Sequence, residues 1–148
     1  MFFLSASNFY GMGMIDTEKI KPKIERTAKE YNLSLVILYG SHAKGTAKKE
    51  SDIDIAVLGL KPIKFKKLTD LNNEFADIFG MKEIDVKSLH RIDPLFRFQV
   101  MRDGVLLYGK SRDFNSFRAY AFRDYFDSQD FLRLKETLIK KRLRTLNV

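Results

Sequence analysis

The chain contains no cysteine. That excludes disulfides, thiolate metal sites and a cysteine nucleophile, and it fits a reducing compartment. Histidine is nearly absent too. The two residues, His42 and His90, stand far apart in sequence, and no second imidazole or carboxylate cluster marks His90 as a metal ligand. No apolar run approaches the roughly 20 residues that a transmembrane helix needs. The opening Met1-Phe2-Phe3-Leu4 lacks both the positive flank and the length of a signal peptide. Internal repeats, linkers and low-complexity tracts are also missing. These absences together predict a soluble, cytoplasmic protein.

What is present is a globular composition. Of 148 residues, 45% are hydrophobic, with 13 Phe and 6 Tyr, enough for one domain with a real core. Residues 1–13 read as a poorly ordered extension, with Met12 and Met14 as alternative starts, ahead of a single domain over 14–148. The net charge is +8, and residues 110–148 carry ten Lys/Arg against five Asp/Glu. This basic tail is either a solvated helix face or a surface for nucleic acid or an acidic partner. It lacks the interleaved aromatics of an RNA-binding motif.

Hydrophobic spacing predicts alternating elements. Ile20, Ile24, Ala28 and Tyr31 fall at helical intervals and predict an amphipathic helix over roughly 17–31; Pro22 suits only a first turn, so its regular part is expected from about Ile20 or Lys21. A β-rich run over 34–39 ends at Gly40. A short helix or turn follows over 41–45, then a polar loop over 46–51 and a second strand over 53–58. A helix through Phe65, Leu68, Leu71 and Phe75 closes at Gly80. A third strand covers 83–87. Asp93-Pro94 starts another helix, and Asp103-Gly104 turns into a fourth strand over 105–108. The remainder, about 112–147, is helical, with a break expected near Asp127-Ser128-Gln129-Asp130. The fold class is α/β, a small mixed β-sheet backed by helices with a C-terminal helical segment.

The chemistry concentrates around Gly40-Ser41 and Asp52-Ile53-Asp54. Residues i and i+2 of a strand point to one side, so Asp52 and Asp54 aim at one spot and repel unless a cation sits between them. Hard carboxylate oxygens suit Mg²⁺, which shares its remaining positions with water and phosphate. In the third strand Ile84 and Val86 should face the core, leaving Asp85 on the other side. If the second and third strands are neighbours, Asp85 joins the pair as a third acid able to take a proton from an attacking hydroxyl. Gly40 and Ser41 offer backbone approach and donors to phosphate. Lys44, Lys48 and Lys49 lie in the same stretch, although a solvated loop explains any one of them. The segment is not a P-loop, because Thr46 and Ala47 stand where that motif needs Lys and Ser/Thr.

The segments 38–45 and 51–57, Leu-Tyr-Gly-Ser-His-Ala-Lys-Gly and Ser-Asp-Ile-Asp-Ile-Ala-Val, resemble the polymerase-β-like nucleotidyltransferase superfamily. Within it, the chain is most similar to the minimal nucleotidyltransferases, the MntA-like antitoxins paired with HEPN-domain toxins. The resemblance implies a nucleotidyltransferase fold in which Asp52, Asp54 and Asp85 hold Mg²⁺ and Gly40 and Ser41 hold the triphosphate. It also implies transfer of AMP from ATP to a tyrosine of a partner HEPN RNase, which silences the toxin. His42 departs from the pattern, since many relatives carry Arg there. Two other functions remain open: a nucleotidyltransferase acting on a small molecule such as an antibiotic, and a module that neutralises a toxin by contact alone. About 40 residues after Tyr108 leave little room for a large substrate domain.

Overall fold

The computed structural model describes residues 17–48, 51–81 and 83–147. The extension expected over 1–13 and Lys49 lie outside them. Helix α1 (Thr17–Glu30) is followed by strand β1 (Leu33–Tyr39), the one-turn helix α2 (Ser41–Lys44) and β2 (Ile53–Gly59). Then come α3 (Phe65–Phe79), β3 (Ile84–Ser88), α4 (Pro94–Asp103), β4 (Val105–Tyr108) and α5 (Ser111–Leu146). The sheet runs β3-β2-β1-β4. β1 is antiparallel to β2 and β4, and β2 is parallel to β3, so the sheet is mixed. A parallel pair cannot be joined by a tight turn, and α3 supplies the crossover between β2 and β3.

Each face of the sheet buries a different helix pair. On one face Ile20, Ile24 and Ala28 of α1 and Leu71, Phe75 and Phe79 of α3 cover Val36, Leu38, Ile53, Ile55, Val57, Ile84 and Val86. On the other face Val100 and Met101 of α4 and Phe114 and Ala121 of α5 cover Leu35, Ile37 and Ala56. Arg97, almost wholly buried, ties this second layer together. Its Nε donates to the Leu89 carbonyl at 3.3 Å and its Nη1 to Asp124 at 2.9 Å, joining α4 to α5. A buried guanidinium survives only when paired in this way.

Helix ends follow the sequence closely. The Asp93 carboxylate accepts from the amides of Leu95 (2.7 Å) and Phe96 (3.2 Å), with Pro94 at the first helical position. Gly80 closes α3 in the left-handed region at φ 64°. Two expectations change. Helix α1 covers the expected span of roughly 17–31, but it is regular from Thr17 rather than from Ile20 or Lys21, with Pro22 exposed inside it. The proline removes one donor in the second turn, and its ring is exposed. The break expected near 127–130 is absent, and α5 is one helix of 36 residues. No Gly or Pro occurs after Gly109. Ser128 turns its hydroxyl back to the Tyr125 carbonyl at 2.7 Å, so this polar stretch stays helical.

Only the first half of α5 packs on the sheet. Beyond Asp130 every described residue is exposed, including Phe131, Leu134, Leu138, Ile139 and Leu143, which form an apolar stripe. Among the described residues, no helix is long and apolar enough to cross a membrane.

Candidate active site

Strand register assembles the carboxylates. Asp54 of β2 pairs with Asp85 of parallel β3, and on its other side with Tyr39 of antiparallel β1. Residues directly opposite in a ladder point to one face. Tyr39, Asp54 and Asp85 therefore form one row across three strands, on the face covered by α4. The alternation expected for β3 holds, with Ile84 and Val86 buried and Asp85 exposed.

Gly40 lets this row close. It has φ 74° and ψ −154°, a region that side-chain-bearing residues avoid. A Cβ built there would collide with the Asp54 carboxylate oxygen. Glycine is thus required both by backbone conformation and by the approach of Asp54. Ser41 opens α2 immediately beyond it.

The electrostatics show a site short of positive charge. Burial, then the charges of Asp85 and Asp52, push the Asp54 carboxyl above the usual carboxylate range, with Lys87 and His42 opposing. The Tyr39 hydroxyl is also held protonated, first by burial and then by Asp54 and Asp85. Asp52, exposed and just before β2, engages Glu83, and that contact raises the Glu83 pKa. Among the described residues, no three carboxylate or imidazole groups already converge tightly enough to hold an ion. Asp54 and Asp85 are adjacent, whereas the Asp52 side chain is turned toward Glu83. The donor set itself, hard oxygens that repel one another, fits a divalent cation such as Mg²⁺.

Two residues beside the row, Lys87 and Phe96, were not singled out by sequence. Lys87 reaches Asp85 at 3.3 Å and lies over the Phe96 ring at 5.4 Å. Its position two residues after Asp85 on an alternating strand was the available signal. Phe96 meets Tyr39 edge-on at 5.5 Å, closing the site from α4. Lys44 sits 3.6 Å from Asp103, which Arg102 holds at 2.7 Å. His42 donates from Nε2 to the Ser51 carbonyl at 3.0 Å, and its Nδ1 is buried without a partner. His90 hydrogen-bonds the Gly59 carbonyl at 2.9 Å and serves as a tether, in keeping with the structural role its isolation suggested. Lys48 is exposed in the loop.

A mixed sheet with a Gly-Ser turn at one strand end and carboxylates on the next two strands defines a nucleotidyltransferase-type domain. The family model described as "Polymerase beta, Nucleotidyltransferase" matches residues 22–113, and the chain belongs to that family. The protein adenylyltransferase MntA of Shewanella oneidensis is 31% identical over 81 residues, 55% of this chain and 58% of that protein. A crystal structure of a toxin–antitoxin with AMP-PNP superposes with a TM-score of 0.67 at 24% identity, covering 87% of this chain and 99% of that one. A solved structure of tri-AMPylated Shewanella oneidensis HEPN toxin in complex with MNT antitoxin gives 0.63 at 22% identity, covering 86% and 98%. At these identities the structural likeness speaks for the fold.

Proposed function

We propose that this chain is the Mg²⁺-dependent adenylyltransferase of a toxin–antitoxin pair, moving AMP from ATP to a tyrosine hydroxyl of a HEPN RNase partner. The observation that carries the reading is the Asp54–Asp85 register beside Gly40, which sets two carboxylates next to the Gly40-Ser41 turn. The names of the relatives, an adenylyltransferase and complexes with AMPylated or AMP-PNP-bound toxin systems, support the same chemistry.

Asp52, Asp54 and Asp85 would hold the metal, which supplies charge neutralisation at the phosphates. Gly40 and Ser41 would receive the triphosphate, the glycine by allowing close backbone approach and the serine by its hydroxyl. Asp85, the most exposed acid of the row, stands where an incoming hydroxyl can reach it. The hydroxyl oxygen attacks the α-phosphorus, the bond to the bridging oxygen breaks, pyrophosphate leaves, and the proton passes to Asp85.

The test is labelling of the partner toxin with ATP radioactive at the α-phosphate. Asp52→Asn and Asp54→Asn are expected to abolish label transfer, and Asp85→Asn to slow it at least about a hundredfold. Retained labelling in Asp54→Asn would overturn the assignment. The stripe of exposed apolar residues on α5 favours a second reading, neutralisation by contact alone. Cells expressing the toxin distinguish the two: full protection by Asp54→Asn supports contact, loss of protection supports chemistry.

A further inference from the structure

The row of Tyr39, Asp54 and Asp85 has two ends. At one end β1 leads into the Gly40-Ser41 turn, and at the other lies β3, the outer strand of the order β3-β2-β1-β4. Two strand spacings, about 10 Å, separate these ends. The far end carries its own cation. Lys87 follows Asp85 by two residues on an alternating strand, so both side chains stand on one face.

Lys87 is held from two sides. Its Nζ lies 3.3 Å from the Asp85 carboxylate and 5.4 Å from the centroid of the Phe96 ring, within cation–π range. Phe96 is braced in turn by Tyr39, edge-on at 5.5 Å. The ammonium is thus steered to the carboxylate, while 47% of the Lys87 side chain and 51% of the Asp85 side chain stay open to solvent. An ion pair that exposed adds little to stability. Its position matters more for what arrives there.

An oxygen that reaches Asp85 from solvent also reaches the Lys87 ammonium, which has three donors to offer. As the O–H proton of an acceptor leaves, its oxygen gains negative charge, and a cation within a few ångströms favours that charged form. The match is to a phenol, which loses its proton at a pKa of about 10 and brings charge to the oxygen early in the transfer. We propose that Lys87 is a catalytic residue of the acceptor side, donating to the oxygen of a phenolic acceptor as Asp85 takes its proton, with Phe96 the positioning residue that holds the ammonium there. The lone pair of that oxygen closes on the α-phosphorus, the bond to the bridging oxygen breaks, and pyrophosphate leaves with the bonding pair. Lys87 keeps its own protons throughout. The inference rests on the adenylyl-transfer reading and adds to it a cation outside the Gly-Ser and Asp-x-Asp motifs, at the end of the row away from the triphosphate.

The test is initial-rate labelling of the partner toxin with ATP radioactive at the α-phosphate, at saturating toxin and Mg²⁺-ATP. Lys87→Met should lower kcat about tenfold or more, the scale of one charge-assisted contact, and Lys87→Arg should keep most of it. Phe96→Leu should lose less than Lys87→Met. Toxin made with fluorinated tyrosine, whose phenol is more acidic and needs less help from a cation, should narrow the gap between each of Lys87→Met and Phe96→Leu and the wild type. A mere loss of packing would not respond to the acceptor in this way. By calorimetric titration Lys87→Met should bind Mg²⁺-ATP at least as tightly as the wild type, because a competing cation has left Asp85. The Lys87 side chain is about half exposed, so its variants should melt like the wild type. Wild-type kcat in Lys87→Met, an unchanged gap with the fluorinated toxin, or weakened Mg²⁺-ATP binding overturns the inference, while loss of labelling in Asp54→Asn still upholds adenylyl transfer. A wild type that leaves the toxin unlabelled overturns both.

Discussion

The two faces of the sheet are built for different ends. The face under α1 and α3 is apolar from Leu33 to Val86 and sealed along its length. The face under α4 and α5 is apolar through Ile37 and Ala56, then gives way at one corner to Tyr39, Asp54 and Asp85. The same strands supply both, because alternate residues of β2 and β3 point to opposite sides. A well-packed face can carry a neighbouring corner whose groups repel one another. The sealed face supplies the stability, and the open one holds charges in positions that folding alone would not favour.

Substitutions separate the two. Phe75→Ala, at the centre of the sealed face, should cost about 3–5 kcal/mol in chemical denaturation and reduce labelling only through loss of folded protein. Gly40→Ala should cost about 2–3 kcal/mol from backbone strain and the collision with Asp54, and abolish labelling even in the folded fraction. Asp54→Asn should act in the opposite sense on stability. Without metal it relieves repulsion, and a rise of about 2–4 °C in melting temperature is expected, near ~1 kcal/mol at this size once solvent screening at a half-open site is allowed for. An unchanged or lower value would mean that the corner is not strained.

Two smaller effects test the edges of the contrast. Tyr31, which links the end of α1 to Glu74 of α3 at 2.9 Å, is pushed up to about 12, first by burial and then by that carboxylate. The folded value exceeds the unfolded one of about 10. Its contribution is therefore complete below pH 10 and fades as pH rises through 12. Tyr31→Phe should flatten that alkaline decline in a pH series of unfolding curves. Leu138→Ser, on the exposed stripe of α5, should change stability by no more than about 0.5 kcal/mol while weakening capture of the partner toxin.

Most of this architecture was legible in the residues. The Gly40-Ser41 turn, the Asp-x-Asp strand, the Asp93-Pro94 helix start and the Gly80 stop are local signals, and each lies where the sequence placed it. The adjacency of Asp85 to Asp54 was conditional on two strands being neighbours, which no local pattern states. Tyr39 and the Lys44–Asp103–Arg102 cluster were invisible for the same reason. Their partners lie on other elements, and only the register of β1 against β2 and the docking of α4 bring them together. The continuity of α5 was misread because four polar residues were given the weight of a breaker, although none is Gly or Pro.

The hydrogen bond from His42 to the Ser51 carbonyl carries a consequence for binding. It joins the turn of Gly40 and Ser41 to the residue just before Asp52, so the two ends of the ten-residue spacer move as one. A ligand that fixes either end lowers the entropy still to be lost at the other. Occupancy on the nucleotide side and on the cation side should then reinforce each other by one common factor, whichever arrives first.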